Sequence, residues 1–191
     1  MEENKTKKEK NPLLNSVFDI VSIVATAVIA VGICFSMLFR TIQVSGSSMS
    51  PTLKDGEQII LQSVYPEPKN GDIVVTAQPN ASPVIEDVLV KRIIATEGQT
   101  ISLEYNSSRA CYEVYVDGVK IDEPYIKEPI VRILDCREPV TVPEGYVFVM
   151  GDNRNGSTDS RDDRVGMIRE EYIMGKVVFR TAPFGKIESG K

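Results

Sequence analysis

The segment VSGSSMSPTL, residues 44–53, carries four serines within six positions, at 45, 47, 48 and 50. A serine hydroxyl acts as a nucleophile when a neighbouring group removes its proton. The chain contains no histidine, so a Ser–His–Asp triad cannot be built, and the documented alternative base is lysine. Four serines can also form no more than a polar turn, and this segment alone leaves both interpretations open.

A lysine serves as a base only when its amine is neutral. The pKa of a free lysine is about 10.4, and burial in apolar surroundings lowers it by up to about 3–5 units. Lys91 is the candidate, because it lies within VLVKRIIA, residues 88–95, and shares a strand face with Leu89 and Ile93. The competing interpretation is an edge-strand lysine whose amine reaches water and guards against aggregation.

A third polar stretch is GDNRNGSTDSRDDR, residues 151–164. Such a composition is typical of a solvated loop with internal salt bridges. Its carboxylates could bind calcium, but their spacing does not follow the EF-hand pattern. The chain also has no CxxC motif and no Cys/His cluster. We therefore expect neither a metal nor a cofactor.

Four stretches, in this order and spacing, resemble the type I signal peptidase family. SGSSMSPTL (45–53) resembles the family's S-G-x-S-M-x-P-T-L box, and GDIVV (71–75) is similar to its strand box. VKRIIATEG (90–98) resembles the lysine box, and GDNRNGSTDSR (151–161) resembles the last box. The resemblance implies a membrane-bound serine endopeptidase that removes signal peptides from secreted preproteins by means of a Ser/Lys dyad.

The resemblance also implies roles for single residues. Ser48 corresponds to the nucleophile and Lys91 to the general base, which would take the Ser48 proton and later activate the deacylating water. Ser157 corresponds to the residue that orients the lysine. Supporting salt bridges are implied for Asp152, Asp159, Arg161 and Arg92.

The sequence departs from part of the family at the oxyanion hole. Some members carry a hydroxyl two residues before the nucleophile, whereas this chain has Gly46 there. The oxyanion would then be bound by backbone N–H groups, chiefly that of Ser48.

The resemblance implies preprotein substrates with small residues, typically alanine, at positions −1 and −3. Such a substrate would bind as an extended strand between the segments that precede Ser48 and Lys91. The residues expected to line shallow pockets that exclude larger side chains are Val44, Met49, Leu53, Leu89 and Val90.

An apolar run from Ile20 to Phe39 carries no charge and, as a helix, spans about 30 Å, the thickness of a bilayer core. A cleaved signal peptide has a shorter apolar region followed by small residues, and a buried core helix is the third interpretation. We expect an uncleaved transmembrane helix at 17–39. Lysines at positions 5, 7, 8 and 10 then place residues 1–16 in the cytoplasm and 40–191 outside.

The remainder reads as an all-β domain. Short apolar runs separated by turn residues predict strands at 57–64, 71–77, 88–95, 99–105, 111–121, 145–152 and 174–180. VDGV at 116–119 signals a hairpin, and IREEYIM, 168–174, is the one helix candidate. The predicted fold is mainly β, an antiparallel sandwich or irregular barrel. By the resemblance, 97–142 corresponds to the fold's variable insertion.

Charge and cysteine content limit the partners. The net charge is −5, which argues against nucleic acid, since phosphate binding needs a basic surface. We expect a monomer whose other partner is the lipid bilayer. Cys111 and Cys136 lie in the outer domain and could form a disulfide or remain free.

Two other functions fit parts of the sequence. A self-cleaving repressor-type Ser/Lys protease shares the β fold, but it carries a DNA-binding domain where this chain has its apolar run. A membrane-anchored β domain could also bind partners without catalysis, although such a degenerate relative would be expected to lack Ser48 or Lys91.

Overall fold

The computed structural model describes residues 12–65, 67–77, 88–182 and 184–187. The chain divides into two compact units, Met1–Leu38 and Phe39–Lys191. The described part of the first unit is a helix, α1, Pro12–Leu38. Its segment Ser16–Leu38 has a mean hydropathy of 2.5, and its large apolar side chains are exposed. By length and composition this helix can cross a bilayer.

The second unit is built from twelve strands in its described part. Their bounds are β1 Phe39–Gln43, β2 Gln58–Gln62, β3 Ile73–Ala77, β4 Val88–Thr96, β5 Thr100–Asn106, β6 Cys111–Val116, β7 Val119–Lys120, β8 Val140–Thr141, β9 Tyr146–Met150, β10 Ile168–Arg169, β11 Ile173–Ala182 and β12 Phe184–Lys186.

The strands form two antiparallel sheets. The larger sheet has the order β1-β2-β11-β3-β4-β9-β10, with β12 paired to β11, and the smaller has the order β7-β6-β5-β8. In the described residues the outer strands of the larger sheet do not pair with each other, so no closed barrel forms. The predicted fold class, an apolar helix followed by a mainly antiparallel β domain, is confirmed.

Each of the seven apolar runs that were predicted to form strands contains a strand. The strands of the smaller sheet all lie within residues 97–142. The hairpin signal VDGV connects β6 to β7, with Asp117 and Gly118 at φ 53° and 75°, as a tight two-residue hairpin turn requires. The predicted helix at 168–174 is wrong. That segment holds β10, a single 3₁₀ turn at Glu170–Tyr172 and the start of β11, because pairing of Ile168 with Val147 overrides the local helix preference.

The core that joins the two sheets is apolar. Phe148 on β9 and Ile94 on β4 contribute from the larger sheet, and Ile101 on β5 and Val114 on β6 contribute from the smaller one. Cys111 and Cys136 are both buried and are not joined by a disulfide. Cys136 belongs to this same cluster, so it acts as a small apolar residue.

We predict that Phe148→Ala destabilises the domain by about 3–5 kcal/mol, because it removes a large side chain from the core between the sheets. Phe148 is 1% exposed. Val119→Ala is the matched control, since Val119 is 67% exposed, and its effect should stay within about 0.5 kcal/mol. Urea denaturation of the detergent-solubilised protein, followed by circular dichroism, measures both. Similar losses in the two variants would contradict this account of the core.

Candidate active site

Lys91 lies on β4, which runs between β3 and β9 in the larger sheet. Its neighbours on the same strand face, Leu89 and Ile93, belong to one buried apolar cluster. Lys91 itself is only 3% exposed. The interpretation of Lys91 as a solvated edge-strand lysine is therefore wrong, because β4 is an interior strand and packing covers the side chain.

Ser48 lies in a turn that follows β1. Gly46 enters this turn with φ 82°, a conformation that glycine adopts at little cost, and its N–H donates to Asp55 Oδ1 at 2.8 Å. After the serine, Met49 and Leu53 are fully buried, and the N–H of Leu53 donates to the Met49 carbonyl at 2.9 Å. These two apolar side chains anchor the turn, so its polar residues are held at the surface.

The structure brings the Ser48 hydroxyl and the Lys91 amine into contact. Lys91 Nζ lies 2.8 Å from Ser48 Oγ and 3.2 Å from the Val90 carbonyl oxygen. Ser48 is partly exposed, whereas Lys91 is buried. This arrangement leaves the hydroxyl within reach of a substrate and shields the amine from water, as nucleophilic catalysis with an adjacent base requires.

Gly151 is the point at which the last polar stretch meets the serine turn. A Cβ atom at this position would lie 2.3 Å from Ser157 Oγ and 2.5 Å from the Ser48 carbonyl oxygen. Any larger residue would push these groups apart. The same stretch binds the turn through its backbone, since the N–H of Asn153 donates to the Ser48 carbonyl at 2.9 Å.

The Ser157 hydroxyl is buried beside Gly151. Within the described part of the chain it has no hydrogen-bond partner, which is uncommon for a buried polar atom. The Ser157 hydroxyl and the Ser48 carbonyl oxygen therefore both pack against Gly151.

Two buried ion pairs hold this stretch. Arg92 donates to Asp152 through Nε at 2.8 Å and Nη2 at 2.7 Å, and Thr52 Oγ1 donates to the same carboxylate. Arg161 donates to Asp159 through Nε and Nη2, both at 2.8 Å. Both pairs are bidentate, the geometry in which arginine holds a carboxylate most firmly.

Three of the four acidic residues of the stretch are paired with arginine. Besides these two pairs, Asp162 accepts from Arg164, and this hydrogen bond lowers the pKa of the Asp162 carboxyl. Among the described residues no group of His, Cys, Asp and Glu is arranged to hold a metal ion. The calcium interpretation thus receives no support from the geometry.

Sequence reasoning missed three residues: Arg154 within this stretch, and Glu123 and Tyr125 beside it. Arg154 is 1% exposed and pairs with Glu123 through Nη1 at 3.0 Å and through Nη2. The ring of Tyr125 lies 3.8 Å from the Arg92 guanidinium. Glu123 and Tyr125 belong to IDEPYI, 121–126, a short polar segment without a periodic pattern, so nothing local marks it.

A cleft of about 440 Å³ opens at Ser48 and Lys91. Leu89 and Val90 line it, together with Ile42, Gln43 and Met174, which the sequence had not indicated. The other three residues predicted to line the pockets lie elsewhere. Val44, Met49 and Leu53 belong to a buried core cluster and are absent from the lining.

Comparison with known proteins gives a consistent assignment. Residues 17–182 match the family described as "Signal peptidase, peptidase S26". Signal peptidase I of Bacillus licheniformis is 34% identical over 197 residues, covering 98% of each chain. Signal peptidase I T of Bacillus subtilis (strain 168) is 32% identical, covering 98% of this chain and 95% of that one.

A crystal structure of a signal peptidase I from Enterococcus faecalis V583 is 26% identical, with a TM-score of 0.44, and the match covers 58% of this chain and 96% of that one. The family match extends over most of the sequence, and the relative from Bacillus licheniformis aligns along nearly its full length. The chain therefore belongs to the signal peptidase family, peptidase S26, and is a serine peptidase.

Proposed function

We propose that this chain removes signal peptides from secretory preproteins with Ser48 as the nucleophile and Lys91 as the general base. The observation that carries the proposal is the 2.8 Å separation of Ser48 Oγ and the buried Lys91 Nζ. The chain contains no histidine, so this amine is the base that the geometry offers to the hydroxyl.

Acylation begins when the neutral Lys91 amine takes the Ser48 proton while Oγ attacks the scissile carbonyl carbon. The tetrahedral intermediate collapses as the ammonium gives its proton to the leaving amine, and the mature protein departs. The signal peptide then remains as an ester on Ser48. In deacylation Lys91 takes a proton from water, the hydroxide displaces the serine oxygen, and the proton returns to Ser48.

The oxyanion forms next to the turn that carries Ser48. Gly46 has no side-chain donor, so we assign the stabilising role chiefly to the backbone N–H of Ser48. Two hydrogen bonds from Asn153 fix the backbone around this N–H. The Asn153 N–H donates to the Ser48 carbonyl, and the Asn153 side chain donates to the Ser47 carbonyl at 3.1 Å.

Ser157 and the two ion pairs are proposed to keep the dyad oriented. The Ser157 hydroxyl lacks a partner in the described part of the chain and is available to donate to, or accept from, the lysine amine during the cycle. The Arg92–Asp152 and Arg161–Asp159 pairs hold the stretch that presents Ser157.

The substrate is proposed to bind in the cleft as an extended strand between β1 and β4, with small side chains at −1 and −3. The apolar lining by Ile42, Leu89, Val90 and Met174 favours small apolar groups. The buried residues Val44, Met49 and Leu53 would act beneath the cleft as support, without contacting the substrate.

The location follows from α1. We propose that α1 anchors the chain in the cell membrane, with the N-terminus in the cytoplasm and the β domain outside, because lysines precede the apolar run. The enzyme is proposed to act as a monomer.

We predict that Ser48→Ala and Lys91→Ala each abolish preprotein cleavage, a loss of at least about 10³-fold in kcat, since each removes one half of the dyad. Ser47→Ala should retain most activity and is the matched control, because Ser47 is an exposed residue of the same turn. A detergent assay with a purified preprotein measures all three. Full activity in Lys91→Ala would overturn the mechanism, and it would leave family membership untouched.

The pH profile tests the protonation state of the base. Only the neutral amine accepts the Ser48 proton, so kcat/KM should rise with pH as the amine deprotonates. Because burial disfavours a charged amine, we expect the midpoint well below the value of about 10.4 for a free lysine. Circular dichroism at each pH controls for unfolding. A midpoint at about 10, typical of a solvated amine, would contradict this mechanism.

The cleft predicts selectivity at −1. Replacing alanine with leucine at −1 of a preprotein should lower kcat/KM at least about tenfold if, as proposed, the −1 site takes only small side chains. The same replacement at −2 is the control, since alternate side chains of an extended strand face opposite sides. Equal losses at −1 and −2 would contradict the proposed binding mode.

Orientation can be measured with a membrane-impermeant maleimide. In spheroplasts, Val119→Cys should react, whereas Lys7→Cys should react only after lysis, because the bilayer separates the two sites. The unmodified chain provides the background, since Cys111 and Cys136 are buried and Cys34 belongs to α1, which would place it within the bilayer. Labelling of position 7 in intact spheroplasts would reverse the proposed topology.

A further inference from the structure

The peptide groups of Gly151 are bound on both sides by buried ion pairs. Its N–H donates to Asp159 Oδ2 at 2.9 Å, and its carbonyl accepts from Arg154 Nε at 3.0 Å. Since Ser157 Oγ and the Ser48 carbonyl pack directly on the Gly151 Cα, the position of this one residue sets the spacing of both serines.

Arg154 links Gly151 to a residue outside the active site. The rest of its guanidinium binds the Glu123 carboxylate. Burial acts to lower the pKa of Arg154, but Glu123 outweighs it, so the pKa lies above its usual value and the ion pair persists. Arg154 is thus fixed from the side of the smaller sheet.

Tyr125 reinforces the same segment. Its ring lies 3.8 Å from the Arg92 guanidinium and 5.9 Å from that of Arg154, distances at which an aromatic face attracts a cation. Its hydroxyl donates to Glu123 Oε1 at 3.2 Å. Burial, followed by the nearby Glu123 charge, raises the pKa of Tyr125, which keeps the hydroxyl protonated as a donor.

A third contact comes from the backbone. The N–H of Lys127 donates to the carbonyl of Asp152 at 3.0 Å, while the Asp152 side chain is held by Arg92. The segment 123–127 therefore contacts residues 151–154 through an ion pair, a ring and a main-chain hydrogen bond. This segment lies between β7 and β8, two strands of the smaller sheet, and outside the cleft lining.

We infer that Glu123 and Tyr125 are positioning residues for peptide cleavage: by holding Arg154 and Arg92, they fix the Gly151 peptide and through it the geometry of Ser48, Lys91 and Ser157. The inference rests on the proposed Ser/Lys mechanism. Because neither residue lines the cleft, their loss changes the rate of the chemical step and leaves substrate binding nearly intact.

The test compares Glu123→Gln with Glu113→Gln in the full-length enzyme. Glu113 is the control, since it is a buried carboxylate of the smaller sheet that pairs with Arg109 and Lys120, and within the described residues none of its ion pairs or hydrogen bonds reaches residues 151–154. Glu123→Gln should lower kcat at least about tenfold with KM within about twofold, as misplacement of reacting groups does, and Glu113→Gln should leave kcat unchanged.

A second pair of variants separates positioning from folding. Tyr125→Leu removes the ring from the arginines and should lower kcat, whereas Tyr125→Phe keeps the ring and should recover most of that loss. Should Glu123→Gln not fold, this pair decides by the same split between kcat and KM. Thermal melts by circular dichroism establish which variants are folded at the assay temperature.

Several outcomes would overturn the inference. They are an unchanged kcat in a folded Glu123→Gln or Tyr125→Leu, a change confined to KM, or an equal loss of kcat in Glu113→Gln. Failure of the underlying mechanism is separate, because it would appear as retained activity in Ser48→Ala or Lys91→Ala.

Discussion

A lysine amine accepts a proton from serine only while water is kept from it, because hydration strongly favours the charged form. Lys91 meets this requirement on an interior strand, between β3 and β9, with Leu89 and Ile93 on the same face. The proposed nucleophile, Ser48, comes from a separate segment, a turn whose position depends on buried apolar side chains, and its Oγ lies 2.8 Å from Lys91 Nζ. Burial of the amine and exposure of the hydroxyl are thus achieved by different elements.

Buried ion pairs hold the stretch 151–164 against β4 and the serine turn. Arg92 and Asp152 have no exposed side-chain surface, and removing such ions from water costs several kcal/mol each unless the geometry is close to ideal. Here Arg92 and Arg161 each bind their aspartate bidentately, and both also donate to backbone carbonyls. We interpret this network as a means of fixing one backbone position, that of Gly151, since an apolar core of the same volume would stabilise equally well.

The strands and the apolar helix could be predicted because each depends on short-range patterns of apolar residues. The helix predicted at 168–174 was wrong, because the helix preference of so short a segment is weaker than the pairing of Ile168 with β9. The lining of the cleft could be predicted only in part, for a different reason. Val44, Met49 and Leu53 fill the core and Leu89 and Val90 line the cleft, yet both environments select the same apolar side chains.

The amino-acid sequence by itself restricted the chemistry: without histidine, a serine nucleophile in this chain needs another base, and Lys91 was the lysine that the local pattern placed in an apolar strand. Only the tertiary structure decided which groups meet. Ser48 and Lys91 are 43 positions apart, Arg92 and Asp152 are 60 apart, and Glu123 and Arg154 are 31 apart. Contacts between residues so far apart in the sequence depend on strand register and on the packing of the two sheets. Register and packing arise from many weak contacts spread over the chain, so no local sequence pattern predicts them.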